Sequence, residues 1–114
     1  NADQTFESAN TTYVVTATQL DYFIDGVKHA SITLKRGATY TFDVSDFGNA
    51  HPFRFSTTPD GTFGGGTAFN DGVTYVDEGT ITWTVPENLS ASVMYYYCTI
   101  HANMAGSGVI SITD

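Results

Sequence analysis

The run Thr80-Ile81-Thr82-Trp83-Thr84-Val85 alternates polar and apolar residues without a break, and Pro86 ends it. Successive side chains of a strand point to opposite faces, so period two marks a half-buried β-strand. The run predicts Ile81, Trp83 and Val85 on a core face. The pattern recurs along the chain. Tyr40, Phe42 and Val44 share a face of one run, Ile32 and Leu34 of another, and Phe53 and Phe55 of a third. Tyr13-Val14-Val15-Thr16-Ala17, Tyr22-Phe23-Ile24, Val93-Met94-Tyr95-Tyr96-Tyr97-Cys98 and Gly108-Val109-Ile110-Ser111-Ile112-Thr113 read as further strands. Turn signals such as Asp25-Gly26 and Lys35-Arg36-Gly37 separate them. No stretch reads as a helix. The expectation is an all-β chain, a Greek-key β-sandwich or barrel of seven to eight antiparallel strands.

Core material suits that architecture. Eight Phe, seven Tyr and Trp83 accompany many β-branched residues, while Leu is confined to Leu20, Leu34 and Leu89. Residues 1–114 read as one domain, which at this length buries roughly two-thirds of its unfolded surface and needs no disulfide framework. Residues 57–77 are the least regular part. Asp60-Gly61, Gly64-Gly65-Gly66 and Asp71-Gly72 punctuate them, so they read as a wandering crossover or a short helical turn. Residues 1–10 are polar and expected to be ordered only in part. The start, Asn1-Ala2-Asp3, reads as a mature terminus or the edge of an excised domain.

Twelve acidic residues against four basic ones leave a net charge of −8. Nucleic acid is thereby excluded as a partner, because binding it needs basic surface to displace counterions. The acidity favours solubility and steers basic proteins. No apolar run approaches the roughly 18 residues of a membrane-spanning helix.

One cysteine rules out an internal disulfide. Its surroundings suggest another use. Cys98, His101 and Met104 follow one another at three-residue intervals, just past an aromatic strand. Each alone is ordinary: a buried thiol, a surface loop histidine, a methionine filling space. Together, a thiolate, an imidazole and a thioether on one loop form a soft ligand set suited to copper. His51, at the start of His51-Pro52-Phe53, supplies a second imidazole. It comes from a different strand end, so the fold must form before the site does. Two imidazoles and a thiolate with a weaker thioether give one copper per chain, at His51, Cys98, His101 and Met104. Zinc also accepts Cys and His, so the donor set leaves it open.

Tyr97-Cys98-Thr99-Ile100-His101-Ala102-Asn103-Met104 resembles the C-terminal ligand loop of the cupredoxins, the small blue copper proteins, and its spacing is similar to the short loop of amicyanin. Asn49-Ala50-His51 matches the position of that family's upstream histidine. Asn49-Ala50-His51-Pro52-Phe53, Gly64-Gly65-Gly66 and Tyr96-Tyr97-Cys98 are also similar to cupredoxin-like modules of marine microbial and viral extracellular proteins. The resemblance implies a type-1 copper site that carries single electrons between Cu(I) and Cu(II). One departure matters. Many cupredoxins have Asn after the upstream histidine, with its N–H aimed at the copper-bound sulfur. Here Pro52 stands there and has no N–H. The family often has Pro just before the second histidine. Here Ile100 keeps its donor, so one N–H···S bond is expected to have moved to Ile100. Thr99 is a candidate outer hydrogen-bonding residue or an ordinary loop hydroxyl.

The resulting expectation is an electron carrier and not an enzyme, with no catalytic set of residues. It is a monomer, extracytoplasmic (periplasmic or secreted), and attached to a membrane or virion only through segments outside this chain. A redox protein partner docks near His101, where Ala102, Ala105 and Gly106 form a small apolar patch. The rival functions are copper sequestration or delivery, and a structural role in a larger extracellular or virion protein. Strand alternation places Tyr96 inside with Cys98, and Tyr95 and Tyr97 on the other face. His29 reads as a solvent-exposed histidine remote from the site. Asn10-Thr11-Thr12 and Asn88-Leu89-Ser90 match a glycosylation sequon that is frequent by chance.

Overall fold

The computed structural model describes residues 11–47, 50–76 and 79–114. The polar stretch 1–10, which includes Asn10 of the first sequon, lies outside the described residues. So do Asn49 of the upstream histidine segment and Asp77 at the end of the irregular stretch.

Ten strands form among the described residues: β1 (Thr12–Ala17), β2 (Tyr22–Ile24), β3 (Val27–Lys28), β4 (Ile32–Lys35), β5 (Thr39–Asp43), β6 (Phe53–Ser56), β7 (Val73–Val76), β8 (Thr80–Thr84), β9 (Val93–Cys98) and β10 (Ile110–Thr113). They make two packed sheets, a six-stranded one in the order β3-β2-β1-β5-β8-β7 and a four-stranded one in the order β4-β10-β9-β6. The chain passes between the sheets after β3, β4, β5, β6 and β8. The all-β sandwich expected from the alternation is present. It differs in two respects. The pairs β1–β5 and β4–β10 are parallel, so the sheets are mixed rather than wholly antiparallel. Two short strands also escape the sequence pattern. β3 has only two residues, both exposed, and it folds back on β2 through Asp25 and Gly26, both at positive φ. β7 is an edge strand with one half-buried and three exposed residues, so burial imposes no alternation on it.

The alternating runs do what period two demands. Tyr40 lies opposite Trp83 and Phe42 opposite Ile81 in the β5–β8 pair, and all four are buried. Phe53 lies opposite Cys98 and Phe55 opposite Tyr96 in the β6–β9 pair, also buried. The two sheets meet through aromatic rings. Phe55 stacks on Trp83 at 4.5 Å, and Phe42 packs on Phe53 and Phe55 at 5.8 and 5.2 Å. Each such fully buried side chain contributes about 1.5–3 kcal/mol of transfer free energy. That is ample for a rigid frame beneath the loops.

The outer face of β6 and β9 is covered too. Tyr97 points away from the core, as the alternation requires, yet it is fully buried. The stretch between β6 and β7 lies over it, with a 3₁₀ turn at Gly61–Gly64. Gly61 sits at φ 53°, and a Cβ there would fall on the Tyr97 ring. Glycine is required both by the left-handed backbone and by the contact. Beside it the Arg54 guanidinium lies 4.1 Å above the Tyr75 ring. No helix among the described residues is long and apolar enough to cross a membrane.

Candidate metal centre

The antiparallel β6–β9 pair closes the long sequence gap between His51 and Cys98. Phe53 is paired with Cys98, so the residues just before Phe53 stand beside those just after Cys98. The Thr99 N–H donates to the Pro52 carbonyl at 3.2 Å, joining the two segments one residue beyond each ligand candidate. Thr99 thus contributes its backbone, and its side chain is exposed.

His51, Cys98 and His101 each place one ligand atom within 4.8 Å of the others, a grouping that can hold a metal ion. Both histidines turn Nδ1 toward the sulfur, each at 3.9 Å from Cys98 Sγ. A metal about 2.3 Å from sulfur and about 2.0–2.1 Å from each nitrogen requires S···N separations of about 3.5–3.8 Å. The observed spacing fits that requirement with a small inward movement. The rings of His51 and His101 lie 4.9 Å apart. Cys98 is fully buried, His51 half-buried and His101 exposed, so the group spans the sandwich surface.

The electrostatics favour ligation. Partial burial, and next the neighbouring His101, hold His51 below the ordinary histidine pKa and so favour the neutral ring that a metal needs. The Ile100 N–H donates to Cys98 Sγ at 3.4 Å, a donor aimed at a sulfur that must carry negative charge when it ligates. This is the bond expected from the Pro52 and Ile100 pair. Pro52 offers no N–H, and Ile100 does.

Met104, the fourth candidate, is fully buried in the same core cluster as Cys98. The loop that carries it is held from three sides. Asp60 Oδ1 accepts the Asn103 N–H at 2.9 Å, where Asn103 takes φ 65°. The Tyr22 N–H donates to the Met104 carbonyl at 2.8 Å. The third side corrects the expectation for His29. It is half-buried, with Nε2 2.8 Å from Asp21 Oδ1, and its ring lies where a Cβ on Gly106 would be. It therefore packs on the ligand loop instead of facing solvent remote from it. Sequence spacing carries no sign of this, because β2 and β3 bring the 21–29 segment to the loop only in the folded sheet.

Two further residues matter that the sequence left unassigned. Asp60 reads in the sequence only as part of an Asp-Gly turn. Tyr22 reads only as a strand residue, yet its hydroxyl donates to the His51 carbonyl at 2.7 Å. Burial, and next the adjacent Cys98 thiol, push its phenol well above the ordinary tyrosine pKa, so it remains a donor. The apolar patch around His101 also has a different composition from the expected Ala102, Ala105 and Gly106. Ile100, His101 and Ala102 are exposed, whereas Ala105 is buried in the core. Alternation cannot anticipate that, because the loop turns at Asn103.

Compared with protein-family models, curated proteins and solved structures, the chain matches none of them.

Proposed function

We propose that the chain is a mononuclear copper protein of the type-1, cupredoxin-like kind that carries single electrons. His51, Cys98 and His101 would hold the metal, with Met104 as the fourth ligand. The observation that carries the proposal is the His-Cys-His group within 4.8 Å, built around one buried thiol. Thiolate and imidazole donors favour copper or zinc over the hard cations. The chemistry that bound copper supplies here is one-electron cycling between Cu(I) and Cu(II).

The residues divide the remaining work. Cys98, at the end of β9, fixes the sulfur in the aromatic core. The Ile100 N–H stabilises negative charge on that sulfur. His101 presents its ring at the surface beside exposed Ile100 and Ala102, which suits brief contact with a redox partner through a small interface. The net charge of −8 favours a basic one.

Electron self-exchange separates this reading from copper delivery. Mixtures of the reduced and oxidised copper forms, followed by NMR line broadening, should exchange rapidly while a mild chelator removes little copper. Slow exchange with ready copper loss would contradict electron transfer.

A further inference from the structure

Tyr22 donates its phenol proton to a carbonyl and so is no ligand here, yet it touches both halves of the site. It begins β2, and its ring is fully buried, edge-on to Phe53 at 5.1 Å and beside Phe47 at 5.5 Å. All three of its polar groups are engaged. The hydroxyl donates to the His51 carbonyl at 2.7 Å. The N–H donates to the Met104 carbonyl at 2.8 Å, and the carbonyl accepts the His29 N–H at 3.0 Å. One residue thus ties the two segments, its hydroxyl holding the upstream histidine segment and its backbone N–H the downstream loop.

The His51 segment needs such a tie. His51 lies outside any strand, between β5 and β6, and its ring is only half-buried. The Thr99–Pro52 bond holds the backbone on one side of it. The Tyr22 hydroxyl holds the carbonyl of His51 itself. A ligand already oriented loses less freedom when metal arrives, so the bound state is favoured. The phenol proton rests on a carbonyl, which is no base, so the contact suits holding rather than proton-coupled electron relay.

We propose that Tyr22 is a positioning residue of this centre, setting the separation of the His51 and Met104 segments so that the His51 ring faces the Cys98 sulfur before metal binds. The proposal rests on the metal reading above.

Tyr96 provides the comparison. It too is fully buried, and its hydroxyl donates at 2.7 Å to a backbone carbonyl, that of Ala30, which belongs to no ligand segment. Tyr22→Phe and Tyr96→Phe each remove one hydroxyl-to-carbonyl bond. The Tyr22 hydroxyl also lies beside Cys98, so metal affinity and His51 ring mobility, not the thiolate band alone, decide the comparison. Both apo variants should melt below wild type. Only Tyr22→Phe should lose about 10–100-fold in affinity for Cu(II) and Zn(II), the range for outer groups that orient a ligand. Only Tyr22→Phe should shift the Cu(II)–thiolate band and loosen the His51 ring in NMR relaxation of the apo protein. 4-Aminophenylalanine at position 22 restores a donor and should recover the affinity, which separates donor loss from misfolding. Wild type taking up neither Cu(II) nor Zn(II) sinks the metal reading and this proposal with it. A wild type that binds, with Tyr22→Phe matching Tyr96→Phe in affinity and ring mobility, sinks this proposal alone.

Discussion

Replacing Ile100 by proline isolates one hydrogen bond at the candidate centre. The Ile100 N–H donates to Cys98 Sγ at 3.4 Å, and proline has no N–H to donate. The Ile100 side chain is 55% exposed, so its loss removes little core packing. Ile100→Ala keeps the donor and serves as the control. A hydrogen bond to a charged group nets about 1.5–3 kcal/mol, and a sulfur acceptor at this distance belongs at the low end. The sulfur carries more negative charge beside Cu(I) than beside Cu(II), so the bond favours the reduced state. Only the difference between the two states moves the potential, and about 1 kcal/mol of the total is a reasonable share. For one electron, about 1.4 kcal/mol corresponds to about 59 mV. Ile100→Pro should therefore lower the reduction potential by about 40–60 mV in a voltammogram, with Ile100→Ala close to wild type. An unchanged potential in Ile100→Pro, or an equal fall in both variants, would refute the role given to this bond.

Gly61→Ala combines a left-handed backbone, costing about 1–2 kcal/mol, with a Cβ driven into the Tyr97 ring, costing about 1–3 kcal/mol. Its thermal midpoint should fall by at least about 8 °C, and a smaller fall would mean that the crossover lifts off Tyr97 at little cost. Asp60→Ala removes the acceptor of the Asn103 N–H, a loss of about 0.5–1.5 kcal/mol felt at that loop, besides some strain at its own φ of 60°. Hydrogen exchange at Asn103 should speed up while the β9 amides keep their protection, and unchanged exchange would contradict the anchoring. His51 is held below the ordinary histidine pKa, so the unfolded chain binds its proton first as pH falls. Stability of the apo protein from this group is therefore full above about pH 6.5 and declines from there toward the lower folded value. Urea denaturation at neutral and mildly acid pH should show a smaller acid loss in His51→Gln than in wild type, and equal losses would contradict the shift.

Much of the frame is readable from the chain because burial enforces alternation. Runs with a clean period of two, such as Tyr40, Phe42 and Val44 or Ile81, Trp83 and Val85, are buried on the expected face, with Ile32 the half-buried exception. Where burial does not discriminate, the pattern fails. β7 is exposed along most of its length and β3 throughout, so neither shows in the sequence. The parallel pairs β1–β5 and β4–β10 were equally invisible, because a half-buried strand alternates alike in either direction.

The site divides along the same line. Cys98 and His101 are neighbours in the chain, and His51 follows from its ligand chemistry, so the cluster could be anticipated. The Ile100 donor was readable because proline lacks an N–H at position 52 and isoleucine keeps one at position 100. The contacts of Tyr22, His29 and Asp60 with the ligand segments come from elements far apart in the chain. They exist only once β2, β3 and the crossover are folded against the loop. Tyr97 fell between these cases. Alternation sets its face, but the glycine-rich cover over it comes only from the folded crossover.

The most direct test of the central claim is the visible spectrum after one equivalent of Cu(II) is added to the purified apo protein. Thiolate and imidazole ligation of copper at Cys98, His51 and His101 predicts an intense band near ~600 nm that saturates at one copper per chain and is absent from Cys98→Ser. A folded protein that stays colourless, or a band that survives Cys98→Ser, would contradict it.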